Sequence, residues 1–159
     1  MIELTPEFSK EAFKGLFVRG ALFHCQNYDF WNGSTKDKFV LLLNGCDSSS
    51  NCHFMLPTSQ VEKRKKNPIL SKALYIFPSG SISTFTEETG IIVSDIYSKA
   101  YTYFEQKYID HSVSKGILTF CENVSEAVME DIDKLIMANN DIALNVKMEV
   151  LPSKYVSKP

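Results

Sequence analysis

The longest apolar run in the chain, Phe39–Leu43, is only five residues long. That is far short of the ~20 apolar residues a membrane-spanning helix needs. With its flanks it reads as Lys38–Asn44, a strand buried on both faces at the centre of a sheet. Further short strands are predicted at Arg19–Cys25, Cys52–Leu56 and Lys72–Phe77, with a fragment at Ile82–Phe85. Between them lie turn signals: a polar loop Gln26–Asp37 containing Asn32-Gly33, the Gly45–Asn51 stretch, Pro57-Thr58-Ser59 and Pro78-Ser79-Gly80. Connections this short cannot house a crossover helix, which excludes a parallel Rossmann-type sheet and predicts antiparallel pairing.

Helical signals flank these strands. Thr5-Pro6-Glu7 combines a hydroxyl cap, Pro at the first helical position and an acid in the first turn, with Gly15 as the stop. Ile92, Ile96, Tyr97, Ala100, Tyr101 and Phe104 recur at helical spacing and predict a helix over Val93–Tyr108. A clearer helix is capped by Ser125 or Asn123, carries Val128, Ile132, Leu135 and Ile136 on one face, and ends at Asn139-Asn140. Alternation of Ile142, Leu144, Val146, Met148 and Val150 predicts a strand or an extended tail, followed by a loose terminus, Pro152–Pro159. The expectation is an α+β class chain forming one domain over 1–159. A small antiparallel barrel or strongly bent sheet would occupy about 17–93, with a helical part over about 93–140.

A length of 159 residues fits one domain with a single sizeable core, and 11 Phe with 7 Tyr exclude a disordered chain. The first residues carry four charges before residue 12 and no apolar stretch, so a signal peptide is not expected and a cytoplasmic location is. In that compartment Cys25, Cys46, Cys52 and Cys121 are expected as free thiols. His24-Cys25 and Cys52-His53, with Cys46 between, outline a zinc constellation. No Cys-x-x-Cys pair exists, however, and neighbours on a strand face opposite sides, so buried cysteines and core histidines are expected instead of a metal.

The formal net charge is −2, but it is unevenly spread. Residues 61–80 carry Lys63, Arg64, Lys65, Lys66 and Lys72 against Glu62 alone, in an otherwise acidic chain. That segment reads as a phosphate-binding patch or as a solvated surface loop. Gly-rich nucleotide loops, His-Glu-x-x-His and Gly-x-Ser-x-Gly are all absent. What remains is a three-part pattern. A basic residue opens a buried strand (KDKFVLLLN, Lys36–Asn44), a second strand ends in hydroxyls (FMLPTS, Phe54–Ser59), and the basic segment follows.

In order and spacing this pattern resembles the MazF/PemK/Kid family of toxin ribonucleases, over roughly residues 17–140. Those proteins carry an Arg-Pro-x-x-Val strand start and, one hairpin later, a strand ending in Pro-x-Thr-Ser. The Thr89–Tyr97 stretch, the Lys115-Gly116-Ile117-Leu118 turn and the last helix fall where that family has its final strands, turn and helix. The resemblance implies an SH3-like, PemK-like barrel with flanking helices and a C-terminal helix. It also implies cleavage of single-stranded RNA without metal or cofactor, a homodimer, and an antitoxin whose C-terminal segment enters the RNA groove. Thr58 falls on the catalytic hydroxyl, Lys38 on the catalytic Arg and Phe39 on the Pro. The change at position 38 replaces a bidentate guanidinium by a point charge, so a non-catalytic RNA- or peptide-binding module is the alternative.

Cleavage by the substrate's own 2′-OH needs a base, a cation over the developing phosphorane and a donor to the leaving oxygen. Lys38 is the candidate cation, and Thr58 and Ser59 are candidate phosphate donors. Asp95, His24 and His53 are weighed as base, against a first-turn helix acid for Asp95 and core or rim positions for the histidines. Trp31 and Lys36 suit stacking and phosphate neutralisation, as do Lys63, Arg64, Lys65 and Lys66 for phosphates. Trp31 reads equally as a hydrophobic plug.

Overall fold

A computed structural model describes residues 6–47, 49–109 and 117–156. Helix α1 (Pro6–Leu16) leads into a hairpin of β1 (Ala21–Asp29) and β2 (Thr35–Leu42), followed by β3 (Asn51–Met55). Two short helices come next, α2 (Val61–Lys65) and α3 (Pro68–Ser71), then β4 (Leu74–Ile76) and β5 (Gly90–Ile92). Strand β6 (Tyr97–Ala100) runs directly into α4 (Tyr101–Ile109). The chain closes with β7 (Leu118–Asn123), α5 (Glu126–Ala138) and α6 (Leu144–Val150).

The class is α+β, with antiparallel pairing throughout. Five strands form one sheet in the order β6-β3-β2-β1-β7, and β4 and β5 form a separate two-stranded sheet. The large sheet is open, with β6 and β7 at its edges, so of the barrel and the bent sheet expected from the sequence the closed barrel does not form among the described residues. Lys72–Phe77 was expected in that same sheet; its Leu74–Ile76 core instead builds the separate two-stranded unit.

Alternation along the central strands explains their apolar run. Leu22, Leu41 and Met55 enter one core with Met129, Ile132 and Ile136 of α5 and Ile91 of β5. Phe23, Val40, Leu42 and Phe54 enter another, closed by Phe13 and Phe17 at α1 and by Tyr101 and Phe104 of α4. A strand sandwiched between two such layers has no polar face to alternate with.

Several local readings are corrected. The segment Val93–Tyr108 is not one helix, because Tyr97–Ala100 completes the outer edge of β3 before α4 begins. In the segment expected as a strand over Ile142–Val150, Leu144–Val150 is helix α6. Ile142, Val146 and Val150 stand four apart, a spacing that satisfies a two-residue and a helical period alike. Ile82–Phe85 is turn structure, closed by Phe85 N–H donating to the Ile82 carbonyl at 3.2 Å. The terminal segment is docked through position 156: Leu151 is buried, and Tyr155 and Val156 pack on the α5 core. Polar alternation in Leu118–Asn123 concealed β7 from the sequence reading. The proposed cap Thr5, with Lys115 and Gly116, lies outside the described residues.

Cys46 and Cys52 are joined in a disulfide, against the expectation of free thiols. The β2–β3 connection brings their Cα atoms to 5.5 Å, within bonding range. Cys25 and Cys121 remain free. The zinc constellation thereby loses two of its ligands, and among the described residues no group of three or more His, Cys, Asp or Glu is placed to hold a metal ion. No described helix is long and apolar enough to cross a membrane.

The connection between β4 and β5 is fastened by Glu122 of β7. Its carboxylate accepts from Ser83 N–H (3.2 Å), Ser83 Oγ (2.8 Å), Thr84 N–H (2.8 Å) and Thr84 Oγ1. Burial works to raise this carboxyl, but the hydrogen bonds together hold it below the ordinary glutamate value. A depressed folded pKa contributes stability above the unfolded value and loses it as pH falls through the folded one. Hydrogen exchange at the Ser83 and Thr84 amides is therefore expected to accelerate on acidification. Glu122→Gln should bring that acceleration to neutral pH; unchanged protection in the variant would count against the clasp.

Candidate functional site

The β2–β3 register sets the site. Leu41 pairs with Met55 and Leu42 with Phe54, and the same register carried toward the start of β2 sets Lys38 opposite Thr58. Regular pairing ends before that point. Thr58 instead bridges to β5, its N–H donating to the Gly90 carbonyl at 2.8 Å and its carbonyl accepting from Gly90 N–H at 3.0 Å. On its other side Gly90 lies close against β4, where a Cβ would stand 2.7 Å from the Tyr75 carbonyl oxygen. Thr58 Oγ1 accepts from Gln60 N–H at 3.1 Å, which orients the hydroxyl and leaves its proton available.

Lys38 and Thr58 line a cleft of about 410 Å³. The β1–β2 hairpin contributes Phe30, Trp31 and Lys36; α2 contributes Arg64; and the β5–β6 connection contributes Asp95, with Tyr97 beside it. Leu56, Leu70 and Ile92 give it an apolar lining. Three of the four charged lining residues are basic, so the cleft suits an anion. A second cleft of about 290 Å³ shares Lys38 and Thr58 and contains Ser59 and Gln60. A third, about 440 Å³, is enclosed by the Ile76–Thr89 connection; its lining includes two glutamates and no basic side chain, which disfavours a phosphate ligand.

The environments of the candidate cation, Lys38, and the candidate base, Asp95, diverge. Burial, helped by Lys36 and Arg64, pulls the Lys38 ammonium below the ordinary lysine value. Burial raises the Asp95 carboxyl, against the opposing pull of Arg64. A carboxyl pushed up and an ammonium pushed down in one cleft make it a candidate functional site. Asp95 is not a first-turn helix acid, because the helix begins only at Tyr101.

Of the sequence-derived candidates, Lys38, Thr58, Asp95, Trp31, Lys36 and Arg64 share the main cleft, and Ser59 sits next door. Lys63, Lys65 and Lys66 line neither. Lys65 is paired with Glu62 at 3.0 Å and Glu88 at 3.4 Å, so its charge is largely offset. Trp31 is 97% exposed at the hairpin tip, which rules out the plug reading. His53 pairs with Glu149 of α6, and His24 packs edge-on against Phe39 at 5.2 Å; neither lines this cleft. Tyr97 was missed because it was counted on a helical stripe; as a strand residue two positions after Asp95, it lies where period two would have put it.

Against known proteins, the chain matches no protein-family model and no curated protein sequence.

Proposed function

We propose that this protein is a metal-independent endoribonuclease acting on single-stranded RNA in the cytoplasm. The observation that carries the reading is the convergence of Lys38, Thr58 and Asp95 in one basic cleft beside an exposed tryptophan. Asp95 takes the proton from a ribose 2′-OH as that oxygen attacks the adjacent phosphorus. The bond from phosphorus to the 5′ oxygen breaks, and Lys38 gives that oxygen a proton. Thr58 donates its free hydroxyl proton to a non-bridging oxygen as charge develops there. The products are a 2′,3′-cyclic phosphate and a 5′-hydroxyl. Trp31 and Phe30 offer faces to unpaired bases, and Lys36 neutralises a flanking phosphate. In this reading the open five-stranded sheet is a variant of the toxin family's SH3-like barrel, with a homodimer and an antitoxin segment as its protein partners.

Thr58→Ala is expected to lower the cleavage rate by about 10²–10³-fold, the usual cost of one oxyanion donor. Affinity for an uncleavable 2′-deoxy oligonucleotide should stay within about threefold, because the lost bond is made mainly in the transition state. On single strands affinity should fall by about 0.7 log units per phosphate contact for each log unit of salt. Replacing Lys36 should flatten that slope, whereas Lys65, already paired with two glutamates, should leave it unchanged. Unaltered cleavage in Thr58→Ala would place the chemistry elsewhere, and binding without cleavage by the wild type would establish the binding module instead.

A further inference from the structure

Arg64 is the charged residue that the local fold explains least. It sits in α2, a five-residue helix anchored by buried Val61, and its neighbours Lys63, Lys65 and Lys66 are exposed. Arg64 is instead half-buried and lines the cleft with Lys38 and Asp95. Its Nε is buried without a hydrogen-bond partner. Among the described residues it forms no ion pair, even though Asp95 feels its charge. A guanidinium N–H taken from water and left unsatisfied is costly, and a second cation, Lys38, lies close enough to aggravate the cost. The protein therefore places a guanidinium on the cleft wall that no carboxylate of its own grips in an ion pair among the described residues.

We infer that Arg64 is the scissile-phosphate receptor of this cleft, its guanidinium fork donating in parallel to two oxygens of an RNA phosphodiester. This deepens the ribonuclease reading and rests on it for the identity of the anion. Geometry divides the labour. The Lys38 ammonium is a compact point charge suited to protonating one leaving oxygen, whereas only a planar fork can hold two phosphate oxygens at once. Because those oxygens gain charge on the way to the phosphorane, the grip tightens in the transition state, which makes Arg64 a catalytic residue. Placement on a short helix outside the central sheet explains why spacing along the β2–β3 pair did not single it out.

The test compares wild type, Arg64→Lys, Arg64→Met and Arg64→Ala. Three quantities are read: cleavage of single-stranded RNA, affinity for an uncleavable 2′-O-methyl oligonucleotide, and melting temperature. Arg64→Lys should lose about 100-fold or more in rate despite keeping its charge, since the fork is gone. Methylguanidinium added to Arg64→Ala should restore part of the rate. Arg64→Met should lose affinity and rate, yet melt at the same temperature or higher, because a buried unpaired donor has been removed. An active wild type whose rate and affinity survive in all three variants overturns the inference and leaves the ribonuclease reading standing. A lower melting temperature in Arg64→Met, with rate loss that methylguanidinium does not relieve in Arg64→Ala, assigns Arg64 to packing and also overturns it. If the wild type binds RNA but never cleaves it, the ribonuclease reading fails, and the phosphate grip stands or falls on the affinity loss in Arg64→Lys and Arg64→Met. A wild type that neither binds nor cleaves overturns both.

Discussion

Asp95→Asn is expected to reduce RNA cleavage by about 10²–10⁴-fold, the contribution of a positioned general base. The amide keeps the shape of the carboxyl but cannot accept the 2′-OH proton. Its pH signature separates that role from packing. Activity needs Asp95 ionised and Lys38 protonated, so the wild-type profile should be bell-shaped. Burial moves the acid limb above the ordinary aspartate value, with Arg64 opposing. Burial, Lys36 and Arg64 move the alkaline limb below the ordinary lysine value. Asp95→Asn should erase the acid limb from its residual activity and leave the alkaline one. A profile that retains both limbs would assign the base to another group. Neither shift stabilises the folded chain, so this variant and Lys38→Met should melt no lower than wild type, the usual relation between a working site and its scaffold.

The largest expected loss of stability lies at the other end of the β1–β2 hairpin. Arg19 donates through Nη2 to Asp133 Oδ2 at 2.6 Å and through Nη1 to the Leu43 carbonyl at 2.9 Å. One side chain thus joins the entry of β1, the exit of β2 and helix α5. Asp133 is fully buried, and its Oδ1 has no hydrogen-bond partner. Burial raises this carboxyl, and the bond and charge of Arg19 restrain the rise. Arg19→Ala should cost about 3–5 kcal/mol, because a buried carboxylate is left alone. The sign of its pH dependence follows. With Arg19 gone the folded pKa climbs further above the unfolded one, so the folded state holds a proton that the unfolded state releases. Stability should then fall as pH rises through the interval between those two values. The double variant Arg19→Met/Asp133→Leu should recover part of the loss, since it removes the buried charge, although the Leu43 carbonyl still lacks the Arg19 donor. Urea unfolding of the three proteins checks this; a single variant within about 1 kcal/mol of wild type would show the pair to be dispensable. None of these changes touches the cleft, so residual folded protein should keep its cleavage activity.

The part of the site built on β2 and β3 was legible because antiparallel register is arithmetic. A buried run from Lys38 and a turn at Gly45–Asn51 pair Leu41 with Met55 and Leu42 with Phe54, and positions 38 and 58 beyond the paired residues line one cleft. The Phe30–Ser34 turn, with Gly33 at φ 84°, was likewise announced by Asn32-Gly33. What escaped depended on long-range partners. Strand β6 exists because the edge of β3 offers it hydrogen bonds, and Tyr97, Tyr101 and Phe104 mimic a helical stripe across the strand–helix boundary. The bridge from Thr58 to Gly90 joins segments 32 residues apart, and nothing local marks it. The resemblance drew attention to Lys38 and Thr58, while the inward turn of Arg64 was hidden in a run of four basic residues that look alike in sequence.

The most direct test incubates the purified wild-type chain with a random-sequence single-stranded RNA pool in the presence of EDTA, then analyses the new ends. The account predicts fragments with 2′,3′-cyclic phosphate and 5′-hydroxyl termini, formed by the wild type and strongly reduced in Thr58→Ala and Asp95→Asn. Cleavage that continues undiminished in both variants, or RNA bound and returned intact by the wild type, would contradict it.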